Sequence, residues 1–245
     1  MWMINQFNED LNDAFELHFP SMLPLQRWLY GRLTSMALWG LTNRVRLFGA
    51  TTVVTERIVE YSTVFTWLPD RPARVLDIGC VSSRLPIQLA SLGYEVHGLD
   101  TRPYRWSHRN LTFHQQDLFT WSANLRFDTV YLISVLEHIG LGGYGTVRCE
   151  NADHHAIQRI IGLMRPGGQL VVSVPFGKRG QTPKHRVYDM NQLKDLFADF
   201  IWRRLAYFKR IEQDWLPSLP EDLAEVISPP GLVNGVAVLG LILRG

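Results

Sequence analysis

Residues 74–100, RVLDIGCVSSRLPIQLASLGYEVHGLD, constrain the fold more than any other stretch of the chain. Arg74 to Ile78 is a short apolar run of strand length. Gly79 ends it, where the backbone must turn sharply or let a ligand come close. Leu85 to Leu92 carries apolar residues at helical spacing, with Pro86 where a first-turn proline is tolerated. Gly93 suits the position just past a helix, and Tyr94 to Leu99 reads as a second strand ending on Asp100. Strand, turn, helix and strand make a βαβ unit. Its crossover is right-handed, and the C-terminal ends of its strands form a ligand crevice.

The acidic residues narrow the ligand. A dinucleotide fingerprint places glycines at the turn so that a pyrophosphate can rest on the helix N-terminus. Here Asp77 stands just before the turn, Gly79 is the single glycine in it, and Val81 and Ser83 fall where further glycines would be. A carboxylate at that point repels a pyrophosphate. It suits a positively charged ligand, such as an amino-acid ammonium beside a sulfonium. Asp100 can accept both hydroxyls of a ribose. The plainer alternative is a βαβ unit in which an Asp merely caps the helix.

Composition excludes several classes. The chain has 245 residues, enough for one α/β domain with an extension. Hydrophobic content is 46% and charged content 20%, ordinary for a globular protein. A net charge of +2 is too mild to argue for nucleic acid, which needs a concentrated basic face. The two cysteines, Cys80 and Cys149, form no CxxC, so neither a disulfide framework nor a zinc site is indicated. The polar, acidic start MWMINQFNEDLNDAF lacks the pattern of a signal peptide, so a cytoplasmic setting is expected. Val226 to Leu243 is uncharged, but Pro229, Pro230 and Gly231 make it a loop and a buried strand rather than a membrane span.

Along the chain, residues 1–54 read as a helical N-terminal cap. An apolar series from Leu25 to Phe48 runs between Arg27, Arg32, Arg44 and Arg46. Cap, lid over an apolar substrate, oligomer contact and basic surface resting on lipid all stay open for this segment. The core is expected over 55–245. Thr55 to Trp67 reads as a helix with Thr55 as N-cap and Ile58, Val59, Val64, Phe65 and Leu68 on its core face. Strands follow at 111–115, 127–134 and 169–174. Helices are expected at 153–164 and 191–200. The final strands, 201–209 and 236–243, flank a long insertion and can pair as an antiparallel end. Alternation of strand and helix predicts a doubly wound, mostly parallel α/β sheet of Rossmann type.

VLDIGC, then GLD, QQDLF, FDTVYLISVLEHIG and LMRPGGQLVVSVP look like the successive motifs of class I S-adenosylmethionine-dependent methyltransferases. The resemblance spans roughly residues 55–210, and five motifs in order make it specific. It implies a seven-stranded sheet with a reversed last strand. It also implies Asp77, Gly79 and Cys80 at the methionine end of the cofactor and Asp100 with Thr101 at the ribose. Asp117 and Leu118 would then meet the adenine, and Ser134 would sit near the sulfonium. The family turn usually holds more glycines, and Cys80 to Ser83 here shape an altered loop.

Methyl transfer is an in-line displacement, so the protein mainly supplies position and a dry site. A hydroxyl nucleophile also benefits from a base. His138, with Glu137 beside it, is the candidate, since the resembled fold puts the EHIG segment near the transferred methyl. A hydrogen-bonded structural histidine is the alternative. Tyr144, His154, Trp106 and Phe176 are the candidates for the acceptor pocket, and no carboxylate cluster suggests a metal. The sequence reading is a methyltransferase acting on a small, partly hydrophobic acceptor of secondary-metabolite or sugar type. The competing readings are a macromolecular acceptor, a non-catalytic cofactor-binding partner, and a nucleotide-dependent oxidoreductase, which Asp77 disfavours.

Overall fold

The computed structural model describes residues 54–143 and 148–245. The cap expected over residues 1–54 therefore lies outside the described residues, Val54 excepted, and so does Tyr144. Helix α1 (Arg57–Thr66) leads into strand β1 (Arg74–Ile78), α2 (Leu85–Ser91), β2 (Glu95–Asp100), β3 (Leu111–Gln115) and β4 (Phe127–Ile133). Then come α3 (Ala152–Ile161), β5 (Met164–Pro175), a ribbon of β6 (Gly180–Gln181) and β7 (Arg186–Val187), and α4 (Met190–Leu196). The chain closes with β8 (Phe200–Ile211), β9 (Asp214–Pro217), the short α5 (Pro220–Leu223) and β10 (Gly235–Leu243).

One sheet of eight strands runs in the order β3-β2-β1-β4-β5-β10-β8-β9. The βαβ unit reads as expected: β1 pairs parallel with β2, Asp77 opposite Gly98. Pro86 sits in the first turn of α2, and Gly93 follows the helix with φ at +92°. β10 runs antiparallel between β5 and β8, as the two last strands predicted. Seven of the strands are those expected from sequence. The eighth, β9, forms in the 211–235 insertion, where Glu212 at φ +54° turns the chain so that Ile211 faces Asp214. Among the described residues no helix is long and apolar enough to cross a membrane.

Both faces of the sheet are packed. Leu76, Ile78, Val130 and Leu132 meet Ile157 and Ile160 of α3 on one face, while Val75, Tyr131, Val171 and Val238 meet Leu85 and Leu89 of α2 on the other. Strands buried on both sides read as continuous apolar runs, which is why they were legible. Helix α1 departs from expectation. Its N-cap is Glu56, with no capping side-chain bond, and Thr55 contributes its carbonyl to the Ile58 N–H instead. Ile58 is 58% exposed, whereas Glu60 and Thr63 are buried beside Val59 and Val64. The inward face of this helix is thus half polar, and it is turned toward the sheet's C-terminal edge.

Candidate functional site

That edge holds a cleft of about 680 Å³. β1 and β2 bring Gly79, Asp100, Thr101 and Arg102 to it, and the segment after β3 brings Asp117 and Leu118. The end of β4 and the turn after it supply Ser134, Val135, His138 and Ile139. Cys149, Ala152 and His155 close one wall, and Arg57 of α1 another.

The turn after β1 strongly favours glycine at position 79. Its φ is +72°, and a Cβ there would stand 2.6 Å and 2.7 Å from the two γ-carbons of Val135. The backbone is thereby pressed against the cleft. Asp100 is held rigidly at the end of β2. Its Oδ2 accepts the Val81 N–H at 3.0 Å, and its Oδ1 accepts the Arg102 N–H at 3.0 Å. Oδ1 also accepts from the Arg102 Nε–H at 3.4 Å, a long contact, and Oδ2 keeps a lone pair for a hydroxyl. Asp117 is fixed likewise, its Oδ1 accepting the Phe119 N–H at 2.8 Å.

Burial strains the acids around this edge. Desolvation, aided by Asp100 and opposed by Arg57, pushes the Asp77 carboxyl up to about 8. Its Oδ2 is buried without a hydrogen-bond partner among the described residues. Desolvation also pushes the Glu137 and Glu56 carboxyls up. Burial thus favours the uncharged form of these acids.

His138 sits in the turn Leu136–His138 with its side chain 29% exposed. Its Nδ1 lies 2.5 Å from the Lys184 carbonyl at the tip of the β6–β7 ribbon. A carbonyl can only accept, so Nδ1 carries the proton and Nε2 the lone pair. Desolvation, opposed by the Lys184 hydrogen bond and reinforced by His185, Arg57 and Arg186, lowers the pKa of His138 below its ordinary value, which favours the neutral ring.

Residues 54–205, more than half of the chain, match the profile of a family described as methyltransferase domain. The chain belongs to the methyltransferase-domain family. No curated protein matches it in sequence. Among solved structures it is similar to the N-methyltransferase NodS from Bradyrhizobium japonicum, crystallised with S-adenosylhomocysteine. The identity is 16%, with coverage of 78% of this chain and 88% of that one and a TM-score of 0.54. It is also similar to the 1,6-didemethyltoxoflavin-N1-methyltransferase from Burkholderia thailandensis. There the identity is 17%, with 94% of both chains covered and a TM-score of 0.52. At such identities the likeness is one of fold.

In this methyltransferase Gly79, Asp100, Thr101, Asp117, Leu118, Ser134 and His138 gather at the cleft. Asp77 and Cys80 lie buried behind its wall, Cys80 Sγ packing toward Gly98 on β2. Glu137 is also buried, its Oε1 3.7 Å from His138 Nε2. Three expected acceptor residues stand elsewhere. Phe176 is core, packed on Tyr207 with ring centroids 5.2 Å apart. Trp106 lies outside the cleft, with the guanidiniums of Arg84 and Arg105 over its ring at 6.0 Å and 5.8 Å from the centroid. His154 points to Asp195 of α4 at 3.9 Å, and its neighbour His155 lines the cleft instead. Consecutive helical residues are 100° apart, so the face that packs decides which histidine looks inward.

Arg57 was not singled out from sequence, nor was Glu60. Arg57 lines the cleft and donates from Nη1 to the Ile133 carbonyl at 2.8 Å. Desolvation opposes its charge, but the acids around it, Glu60 foremost, together with Tyr61 hold its guanidinium even more firmly protonated than usual. A charged pair one turn apart on an amphipathic helix ordinarily reads as a solvated face, and nothing in the local pattern says otherwise.

Proposed function

We propose that this methyltransferase uses S-adenosylmethionine to methylate a small, partly hydrophobic acceptor. The observation that carries the reading is the single continuous cleft with unlike halves. Anchored carboxylates, Asp100 and Asp117, stand on one side, and His138, Ile139, Cys149, Ala152 and His155 on the other. Its volume, about 680 Å³, falls within the range of small-molecule sites. An adenosyl cofactor uses much of that space, which leaves room for a compact acceptor.

The residues fit the cofactor. Asp100 offers acceptors to the ribose hydroxyls, and Asp117 with Leu118 and Phe119 borders the adenine. The close turn at Gly79 lets the backbone approach the amino-acid end. Arg57 provides the counter-charge for that end's carboxylate, which the glycine-poor turn alone does not supply. When bound, S-adenosylmethionine supplies an electrophilic methyl group on a sulfonium.

A hydroxyl acceptor that gains a methyl group must lose its proton. His138 Nε2 is placed to take it, because the Lys184 carbonyl fixes the tautomer and burial favours the neutral ring. Ile139 and Ala152 exclude water from that half. One structural neighbour, the 1,6-didemethyltoxoflavin-N1-methyltransferase, was crystallised with 1,6-didemethyltoxoflavin and S-adenosylhomocysteine bound, which supports a small acceptor.

Calorimetry tests the reading with S-adenosylhomocysteine, S-adenosylmethionine and NAD. Binding of the first two and not the third is expected; binding of NAD alone would refute it. Turnover against a panel of small amines and phenols, with His138→Ala as control, separates an enzyme from a silent cofactor binder. Base catalysis is worth about 10²–10⁴-fold, and kcat should fall by that order in the variant while cofactor affinity holds.

A further inference from the structure

Glu60 is fully buried, one turn after Arg57 on α1, and no part of the mechanism above uses it. Its Oε1 accepts two hydroxyl protons at once, from Ser134 Oγ at 2.6 Å and from Ser173 Oγ at 2.7 Å. Its Oε2 faces Arg57 Nη1 at 3.4 Å. Ser173 Oγ in turn accepts the Ser134 backbone N–H at 2.9 Å. Ser134 itself is held at φ +49°, a conformation that a non-glycine residue adopts only when its surroundings impose it.

The donor inventory settles every proton in this network. A carboxylate only accepts, so both serine hydroxyls must donate to it. Ser173 Oγ then has its proton committed to Glu60 and a lone pair committed to Ser134 N–H. Ser134 Oγ has its proton committed as well, and it lines the cleft. What it turns to a ligand is lone pairs alone. The same carboxylate, through its other oxygen, steadies the guanidinium that lines the neighbouring wall.

We propose that Glu60 is a positioning residue for the amino-acid end of the cofactor. It makes Ser134 Oγ an obligate acceptor for an ammonium N–H and holds Arg57 as the donor for a carboxylate, so that one buried acid sets both polarities. This rests on the S-adenosylmethionine reading of the cleft. It explains why an acid is tolerated in the core, since both oxygens are used.

Glu60→Gln tests it. An amide has one accepting oxygen, so either Arg57 or the two serines must face its NH₂. The probes are S-adenosylhomocysteine and 5′-deoxy-5′-methylthioadenosine, which keeps the adenosine and lacks the amino-acid end. Glu60→Gln should weaken S-adenosylhomocysteine about 10-fold or more, the scale of a lost charge-assisted hydrogen bond. Methylthioadenosine should bind within about twofold of wild type, the scatter expected of an uncoupled site. Ser134→Ala should show the same selective loss, and the double variant should lose little more than Glu60→Gln alone. If Glu60→Gln fails to fold, Ser134→Ala carries the test by itself. Equal loss of both ligands, or no loss of either, overturns the positioning role. A wild-type protein that binds neither ligand overturns the cofactor reading instead, and the proposal with it.

Discussion

Substituting Gly79 by alanine probes the contact on which the cleft is built. Two costs can be worked separately. The first is backbone: φ at +72° places a Cβ residue in the left-handed region, at about 1–2 kcal/mol. The second is steric. The new methyl would lie 2.6 Å and 2.7 Å from Val135 Cγ2 and Cγ1, distances that real Cβ atoms do not tolerate. Relief requires Val135 to move, an overpacking cost of about 1–3 kcal/mol. Gly79→Ala should therefore destabilise the protein by about 2–5 kcal/mol in total. The two parts separate in a cycle with Val135→Ala, which removes both clashing carbons. In that background Gly79→Ala should cost little more than the backbone part, the Cβ that remains at position 135 being a tight contact at 3.2 Å, so the coupling should be about 1–3 kcal/mol in the relieving direction. Urea unfolding midpoints at constant m-value measure all four corners. Additivity within about 0.5 kcal/mol would refute the claim that Val135 sets the turn. Both residues line the cleft, so Gly79→Ala should also weaken S-adenosylhomocysteine binding by calorimetry.

Three further outcomes follow from the same geometry. Asp100→Ala should weaken cofactor binding by about 1.5–3 kcal/mol, read by calorimetry, and an unchanged affinity would remove Asp100 from the site. Asp77 has its carboxyl raised to about 8, so its contribution to stability is full below the unfolded value and is lost as pH rises toward 8. Asp77→Asn should remove that slope, at most about 1.4 kcal/mol per pH unit relative to wild type, in urea midpoints measured from pH 5 to 9. His138 is lowered rather than raised, so as a base it stays active into acid. The acid limb of kcat/KM should fall below the free imidazole value of about 6.5 and vanish in His138→Gln. An acid limb above that value would assign the titration to another group.

Local pattern alone determined the βαβ unit and the acids that end β2 and follow β3. These elements are legible because each obeys one period. Strands buried on both faces are unbroken apolar runs, the helix between them repeats at 3.6, and glycine marks the turn. The positions of Asp100 and Asp117 follow, since a residue at a strand's C-terminal end is carried to the ligand edge by topology.

What tertiary structure alone decided lies where one helix face or one turn meets another element. His155 and not His154 looks into the cleft, because the phase of α3 is set by Ala156, Ile157 and Ile160 packing on the sheet. Phe176 is core, because just past β5 its N–H still pairs with the Gly235 carbonyl of β10 and its ring packs on Tyr207 of β8. Arg57 and Glu60 read as an ordinary surface pair. They become the cleft's cation and its buried anchor only when Ser134, just past β4, and Ser173 of β5, 74 and 113 residues from Glu60 in the chain, arrive beside them. Periodicity reports burial of apolar side chains. It carries no signal for a polar side chain whose partners come from distant strands, because its burial is worth having only once those partners are in place.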